Sequence, residues 1–219
     1  TKQNVDDAVQ QYKDDRDSRE MLFQFKRCMV HFAVDDARIK FCTKLDGKDS
    51  WFLPFDMGYN DGAGNPPNPN GIMTDYLWKD ILTKEKLTLI IENYAQVVVE
   101  VDEDTKKKKE KQIFPRYHQL DVVTKLLADV KANGVGKKYL IQHSAGSGKS
   151  NSIAWLAHQL IGLEQDVRPM LDSVIVVTDR RILDKQIRDT IKQFMQVGNT
   201  VAWAEHSGDL TKAITDGKR

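Results

Sequence analysis

Residues 139–160 read YLIQHSAGSGKSNSIAWLAHQL, and no other stretch restricts the fold as much. An apolar, β-type run is followed by a turn of small residues, then Gly148-Lys149-Ser150, then a run with helical spacing of its apolar residues. Gly146 and Gly148 lack a Cβ, so the peptide N–H groups around them can turn inward into an anion nest. The positive end of the following helix points at the same spot. Lys149 is placed to reach the β- and γ-phosphates of a nucleotide, and the Ser150 hydroxyl to ligate Mg²⁺. A glycine turn that merely caps an ordinary helix has no need of Gly-Lys-Ser behind a buried strand. The pattern predicts that Ala145, Gly146, Ser147, Gly148, Lys149 and Ser150 cradle the phosphates of ATP. Lys149 and Ser150 are the candidates to act on the reacting phosphate, with Mg²⁺ at Ser150.

The flanking periodicity predicts the surrounding layers. Leu120, Val123, Leu127 and Val130 line one face of a helix that stops near Asn133 and Gly134. KKYLIQH (137–143), SVIVVT (173–178) and TVAWA (200–204) read as short buried strands. Between them lie helices at about 149–162, with Ile153, Leu156, Ala157 and Leu160 inward, and at 183–194, with Leu183, Ile187, Ile191 and Phe194 inward. Wholly apolar strands alternating with helices indicate an α/β fold whose parallel sheet is covered on both faces. One departure narrows the class. The full pattern G-x-x-x-x-G-K-[ST] wants glycine at 143, and His143 stands there. Small-molecule kinases and GTPases usually keep that glycine, whereas helicase-type motors often do not. His143 itself reads as a loop residue.

The first half has another texture. Residues 4–20 predict a polar helix capped by Asn4, with Val5, Ala8, Val9 and Tyr12 on one face. Runs between Met21 and Leu45, split by the turn-like Asp35-Asp36-Ala37, predict an antiparallel pair. Residues 52–71 are too rich in Gly, Pro and Asn for helix or sheet and read as a long functional or partner-ordered loop. Helical stretches at 74–82 and 84–95 lead to a strand-like VVVEV (97–101). DEDTKKKKEKQ (102–112) is a solvated linker or hairpin, and a nucleic-acid role for Lys106–Lys109 is the less favoured reading. The predicted organisation is 1–96, a charged 97–112, and 113–219.

Composition excludes some functions. Lys and Arg number 33 against 32 acidic residues, so a net charge of +1 gives no wholesale attraction to nucleic acid, though a local basic strip is compatible with it. No run approaches the roughly 18 apolar residues of a membrane helix. Cys28 and Cys42 lie in apolar stretches and read as free thiols of a reducing compartment, so the expected location is cytoplasmic. A start at Thr1 and a close on TDGKR suggest a piece of a longer protein.

Taken in order, FPRYHQLDVV (114–123), HSAGSGKSNSIAWLAH (143–158), VIVVTDRRILDKQI (174–187) and HSGDL (206–210) resemble the motor region of the restriction (R) subunit of type I restriction–modification enzymes. Those subunits are superfamily 2 translocases that consume ATP to pump double-stranded DNA. QYKDDRDSREMLFQFKRCMVHFAVD (11–35), TKLDGK (43–48), FLPF (52–55), GAGNPPNP (62–69) and YLW (76–78) resemble the segment after the nuclease core of the same subunit. The resemblance therefore implies an amino-terminal α+β remnant of a nuclease domain, then the first half of a RecA-like P-loop domain.

Residue by residue, it implies that Gln119 reads the adenine edge, with Tyr117 or Phe114 packed nearby. Thr178, Arg180 and Arg181 would touch DNA phosphates, contacts that position without reading sequence. The implied partners are double-stranded DNA and the methyltransferase and specificity subunits; the implied parent is an ATP-hydrolysing translocase and type I deoxyribonuclease. The nuclease carboxylates are expected before Thr1. The Asp-Glu pair of the motor, its second lobe and its arginine finger are expected after Arg219, which would leave the piece itself inactive. VEVDED (99–104) imitates the Asp-Glu strand but precedes the P-loop. The Asp-x-Lys triplets at 46, 104, 129 and 216 suit turns, a charge run and a helix better than a metal centre, and Gln10, Gln11 and Tyr12 have the wrong spacing for Gln-x-x-x-Tyr. The alternative is a P-loop kinase or regulatory NTPase with an unrelated amino-terminal module; His143, Gln119 and TDRR count against it. A chain that serves only as a binding scaffold is a third reading.

Overall fold

The computed structural model describes residues 3–101, 105–179, 181–194 and 202–217; the side chains of 101, 181–183, 194 and 207 lie outside that description. The chain divides into two compact units, Thr1–His118 and Gln119–Arg219.

In the first unit, α1 (Val5–Asp14) starts on a reciprocal cap. Asn4 Oδ1 accepts from the N–H groups of Asp6 and Asp7 at 2.8 and 3.2 Å, and the Asp7 carboxylate accepts from Asn4 N–H at 2.8 Å. The helix ends short of the expected residue 20. Asp17 accepts from the backbone N–H and the guanidinium of Arg19, a local bond that competes with helix.

The sheet has order β1 (His31–Val34), β2 (Ile39–Cys42), β3 (Leu53–Pro54), all antiparallel, with His31 opposite Cys42 and Val34 opposite Ile39. Asp35 makes the β1–β2 turn: Oδ1 accepts from Ala37 and Arg38 N–H at 2.7 Å, and Oδ2 from Val5 N–H at 2.7 Å. Burial raises the pKa of that carboxyl, but the three backbone donors outweigh it and hold Asp35 below the usual carboxylate value. Residues 21–30, expected in the first strand, form successive turns instead. The four residues of β2 are already matched by 31–34, so no partner ladder remains for them.

Phe32, Phe41, Phe55 and Phe114 form the core, with Phe32–Phe55 and Phe41–Phe114 centroids at 5.4 and 5.8 Å. Tyr117 meets Phe55 edge-on at 6.0 Å. Phe114 and Tyr117, expected beside a nucleotide base, are therefore members of this aromatic cluster.

The Gly/Pro/Asn stretch is fixed to its own unit. Buried Asn65 accepts from Met57 N–H at 2.8 Å and donates to the Ala37 carbonyl at 2.8 Å and to Asp56 at 3.1 Å. Asp56 also accepts from Ile39 N–H at 2.9 Å and pairs with Arg38 at 2.5 Å. At the tip, Tyr59 and Gly62 bridge across Asn60 and Asp61, whose φ values of 49° and 58° make the primed turn that suits a tight hairpin. A π-helical turn (Leu77–Ile81) stands within the expected 74–82 helix, closed by Leu82 N–H on the Leu77 carbonyl at 2.7 Å. After it come α2 (Lys84–Asn93), β4 (Gln96–Val101) and β5 (Lys108–Ile113).

β4 and β5 pair antiparallel from Gln96↔Ile113 to Val101↔Lys108, so the lysine run enters a hairpin arm; Asp102–Asp104 lie outside the described residues. Gln112 Nε2 pins the arm by donating to the carbonyls of Met29, Cys28 and Thr43 at 2.6, 2.7 and 3.3 Å. Cys28 and Cys42 are free thiols, and burial pushes that of Cys42 up.

The second unit carries most of α3 (Tyr117–Asn133), then α4 (Lys149–Ile161), a short hairpin of β6 (Glu164–Gln165) with β7 (Arg168–Pro169), α5 (Arg181–Phe194) and α6 (Ser207–Thr215). Leu120, Val123, Leu126 and Val130 are the buried stripe of α3, with Leu127 only half-buried, and Gly134 at φ 75° ends the helix. On α4, Ala157 is buried as expected and Ala154 and Trp155 are buried with it, while Ile153, Leu156 and Leu160, also expected inward, are intermediate. Trp155, 1% exposed, is the largest side chain on the buried face. Ile187 and Ile191 are buried on α5, as expected; the side chains of Leu183 and Phe194 lie outside the described residues.

The expected parallel sheet is not formed among the described residues. Residues 137–143, 173–178 and 202–204 join no strand ladder, and Leu140 and Val177 are 95% and 85% exposed. A parallel strand needs hydrogen-bonded neighbours at its edges and apolar cover on both faces, and the described residues supply these runs with neither. The architecture is mixed α/β with small antiparallel sheets. No described helix is long and apolar enough to cross a membrane.

Candidate nucleotide-phosphate site

Residues 144–150 curl into a turn that runs straight into α4. Gly146 and Gly148 adopt φ values of 71° and 81°, the left-handed region where a side chain is strained. Gly148 caps the helix, its carbonyl accepting from Asn151 and Ser152 N–H at 3.1 and 3.3 Å. Lys149 is the first helical residue and Ser150 the second, which puts both side chains at the positive end of the helix. Ala145, Gly146 and Lys149 are exposed, Ser150 is half-buried and Ser147 is buried. The Lys149 ammonium folds back over the loop, donating to the carbonyls of Ser144 and His143 at 2.8 and 3.2 Å.

Two attachments to α3 position the loop. At the end of α3, Asp129 accepts from Lys137 at 2.9 and 3.0 Å and from the Tyr139 hydroxyl, which fastens the approach to the loop. The Tyr139 hydrogen bond and then Lys137 hold the Asp129 carboxyl below its ordinary range. In the first turn of α3, buried Gln119 donates from Nε2 to the carbonyls of Gly148 at 2.9 Å and Ser147 at 3.3 Å.

The resemblance assigned Gln119 to adenine, and the structure places its amide on the loop backbone. Proximity to Gly148 is the signal that sequence reading lacked, because 29 residues separate the two.

A hard cation such as Mg²⁺ suits hydroxyl and phosphate oxygens. The half-buried Ser150 hydroxyl beside the exposed loop is the donor that fits it. Among the described residues no group of three or more His, Cys, Asp or Glu forms a metal cluster.

Of the three expected DNA-backbone residues, Thr178 precedes α5 and its hydroxyl donates to Asp184 at 3.1 Å. Arg180 lies outside the described residues; Arg181 opens α5, with its side chain outside them. A feature the sequence reading missed lies farther along α5. The Arg188 guanidinium stacks on Trp203, 4.3 Å from the ring centroid.

Residues 118–219 match the family model of the SWI2/SNF2 ATPase. No curated protein and no solved structure matches the chain. The family match covers the whole phosphate loop and both of its attachments to α3. It supports an ATP-dependent, helicase- or translocase-like ATPase of superfamily 2 over these residues, with the nucleotide binding that such an activity requires.

Proposed function

We propose that the chain is part of the ATP-dependent DNA translocase and endonuclease subunit of a type I restriction enzyme. Residues 145–150 take the triphosphate tail of ATP, and Ser150 holds the accompanying Mg²⁺, which neutralises phosphate charge when bound. Lys149 leaves the Ser144 and His143 carbonyls to meet the phosphates. Thr178, Arg180 and Arg181 meet the backbone of double-stranded DNA, and the methyltransferase and specificity subunits complete the assembly. The observation that carries the nucleotide reading is the curled loop with Gly146 and Gly148 left-handed at the start of α4. The finer assignment rests on the segments of the first half that resemble the type I subunit.

Titration calorimetry with Mg-ATP tests the first part. Lys149→Ala is expected to weaken binding at least a hundredfold, since it removes the charge that meets the phosphates, with an unchanged circular dichroism spectrum. Equal binding by both proteins would overturn it. Co-purification with type I methyltransferase and specificity subunits tests the second part, and a chain that never associates with them contradicts it.

A further inference from the structure

The lysine run changes meaning once it is seen in place. Lys106–Lys109 and Lys111 belong to the returning half of the β4–β5 hairpin, and all five are exposed. The base of that arm is held. Gln112 donates to three carbonyls, Ile113 is buried, and Lys26 pairs with Glu110 at 2.6 Å. Charges on a free tail must lose backbone freedom when they bind, whereas charges on a seated ribbon have already given it up.

The described carboxylates of the arm are already occupied: Glu110 by Lys26, and Glu100 by Lys111 at 3.2 Å. Lys106, Lys107, Lys108 and Lys109 have no carboxylate partner among the described residues. Lys106, at φ 55°, turns the chain into the strand. Val101 then pairs with Lys108 and Glu100 with Lys109 on successive rungs, so Lys108 and Lys109 leave opposite faces of the ribbon. An acidic peptide laid along one face would meet half of this charge. A duplex groove meets all of it, because the major groove is about 12 Å wide, admits a two-stranded ribbon and is walled by phosphates on both sides.

We propose that the β4–β5 arm is a contact for the backbone of double-stranded DNA, with Lys106–Lys109 against phosphates and no reading of bases. This rests on the reading of double-stranded DNA as the partner. It adds a site in the first unit to the one assigned to Thr178, Arg180 and Arg181 in the second.

Fluorescence anisotropy with a labelled mixed-sequence duplex, repeated over a salt series, tests it on the 219-residue chain. One variant carries Lys106→Gln, Lys107→Gln, Lys108→Gln and Lys109→Gln. A charge-matched control carries Lys48→Gln, Lys84→Gln, Lys131→Gln and Lys212→Gln, four exposed lysines elsewhere. At low salt the arm variant is expected to bind about tenfold more weakly, and its slope of log affinity against log salt should be shallower by about 0.9 for each lysine that meets a phosphate. The control should stay within about twofold of wild type. In wild type, duplex should protect Lys106–Lys109 from acetylation. Converting Asp102, Glu103 and Asp104, which lie outside the described residues, to their amides removes adjoining negative charge and should tighten the complex.

An equal loss in the arm variant and the control would reduce the effect to net charge and overturn the proposal. So would an arm variant that binds duplex as wild type does but has lost binding to a polyglutamate peptide, which would make the arm a protein contact. Weakening by Arg180→Gln with Arg181→Gln, with no effect of the arm variant, would sink the arm and leave the DNA reading standing. A wild type that binds no duplex would sink both.

Discussion

β1–β2 and residues 173–178 are similar apolar runs with opposite fates. In the first unit, Ile39, Phe41 and Cys42 are buried, and the two strands are joined by four residues organised around Asp35. In the second, Val177 is 85% exposed and no strand ladder among the described residues includes it. An antiparallel hairpin finds its partner a few residues away, whereas a parallel strand waits for a crossover connection and for neighbours on two edges. The same composition therefore closes a core in one unit and leaves apolar faces uncovered in the other. Local pairing completes itself.

The contrast can be broken most sharply at Phe55, fully buried among Phe32, Phe41 and Phe114. Phe55→Ala should cost about 3–5 kcal/mol in urea unfolding of the first unit. A loss below about 1 kcal/mol would mean the aromatic cluster is not the core described above. Asn65→Ala comes next, at about 1–3 kcal/mol, because it strands the Met57 N–H and the Ala37 carbonyl. It should also expose residues 57–64 to proteolysis, and an unchanged digestion pattern would show that the loop is held by other means. Val177→Thr should have the smallest effect, within about 0.5 kcal/mol, as befits an exposed site. A cost like that of Phe55→Ala would place residue 177 in a packed sheet and erase the difference between the two units.

Features that depend on near neighbours were legible in the sequence. Asn4 announces α1, Gly134 ends α3, and Gly146 to Ser150 mark a turn entering a helix, because each signal lies within a few residues of its effect. The facing of α4 was only partly legible: Ala157 is buried as expected, but counting apolar residues ignores the size of the buried Trp155. The 52–71 stretch reads as a functional or partner-ordered loop until Asn65 is seen against Ala37, 28 residues away. Gln119 is the same kind of case: a lone polar residue in a helix pattern gives no hint of its contact with the phosphate loop. The expected parallel sheet, which is not formed among the described residues, was hard to read for a further reason. Periodicity reports that a run could be buried, not that anything lies beside it.

The Gln112 amide makes one more point about fragility. Two hydrogens on a single nitrogen are shared among the carbonyls of Cys28, Met29 and Thr43. Hydrolysis of that amide to a carboxylate would change the chain by one atom type, yet it would set negative charge against three oxygen lone pairs. The β4–β5 arm would lose both of the donors that now anchor it, so the seating of the hairpin depends on the amide chemistry of one buried side chain.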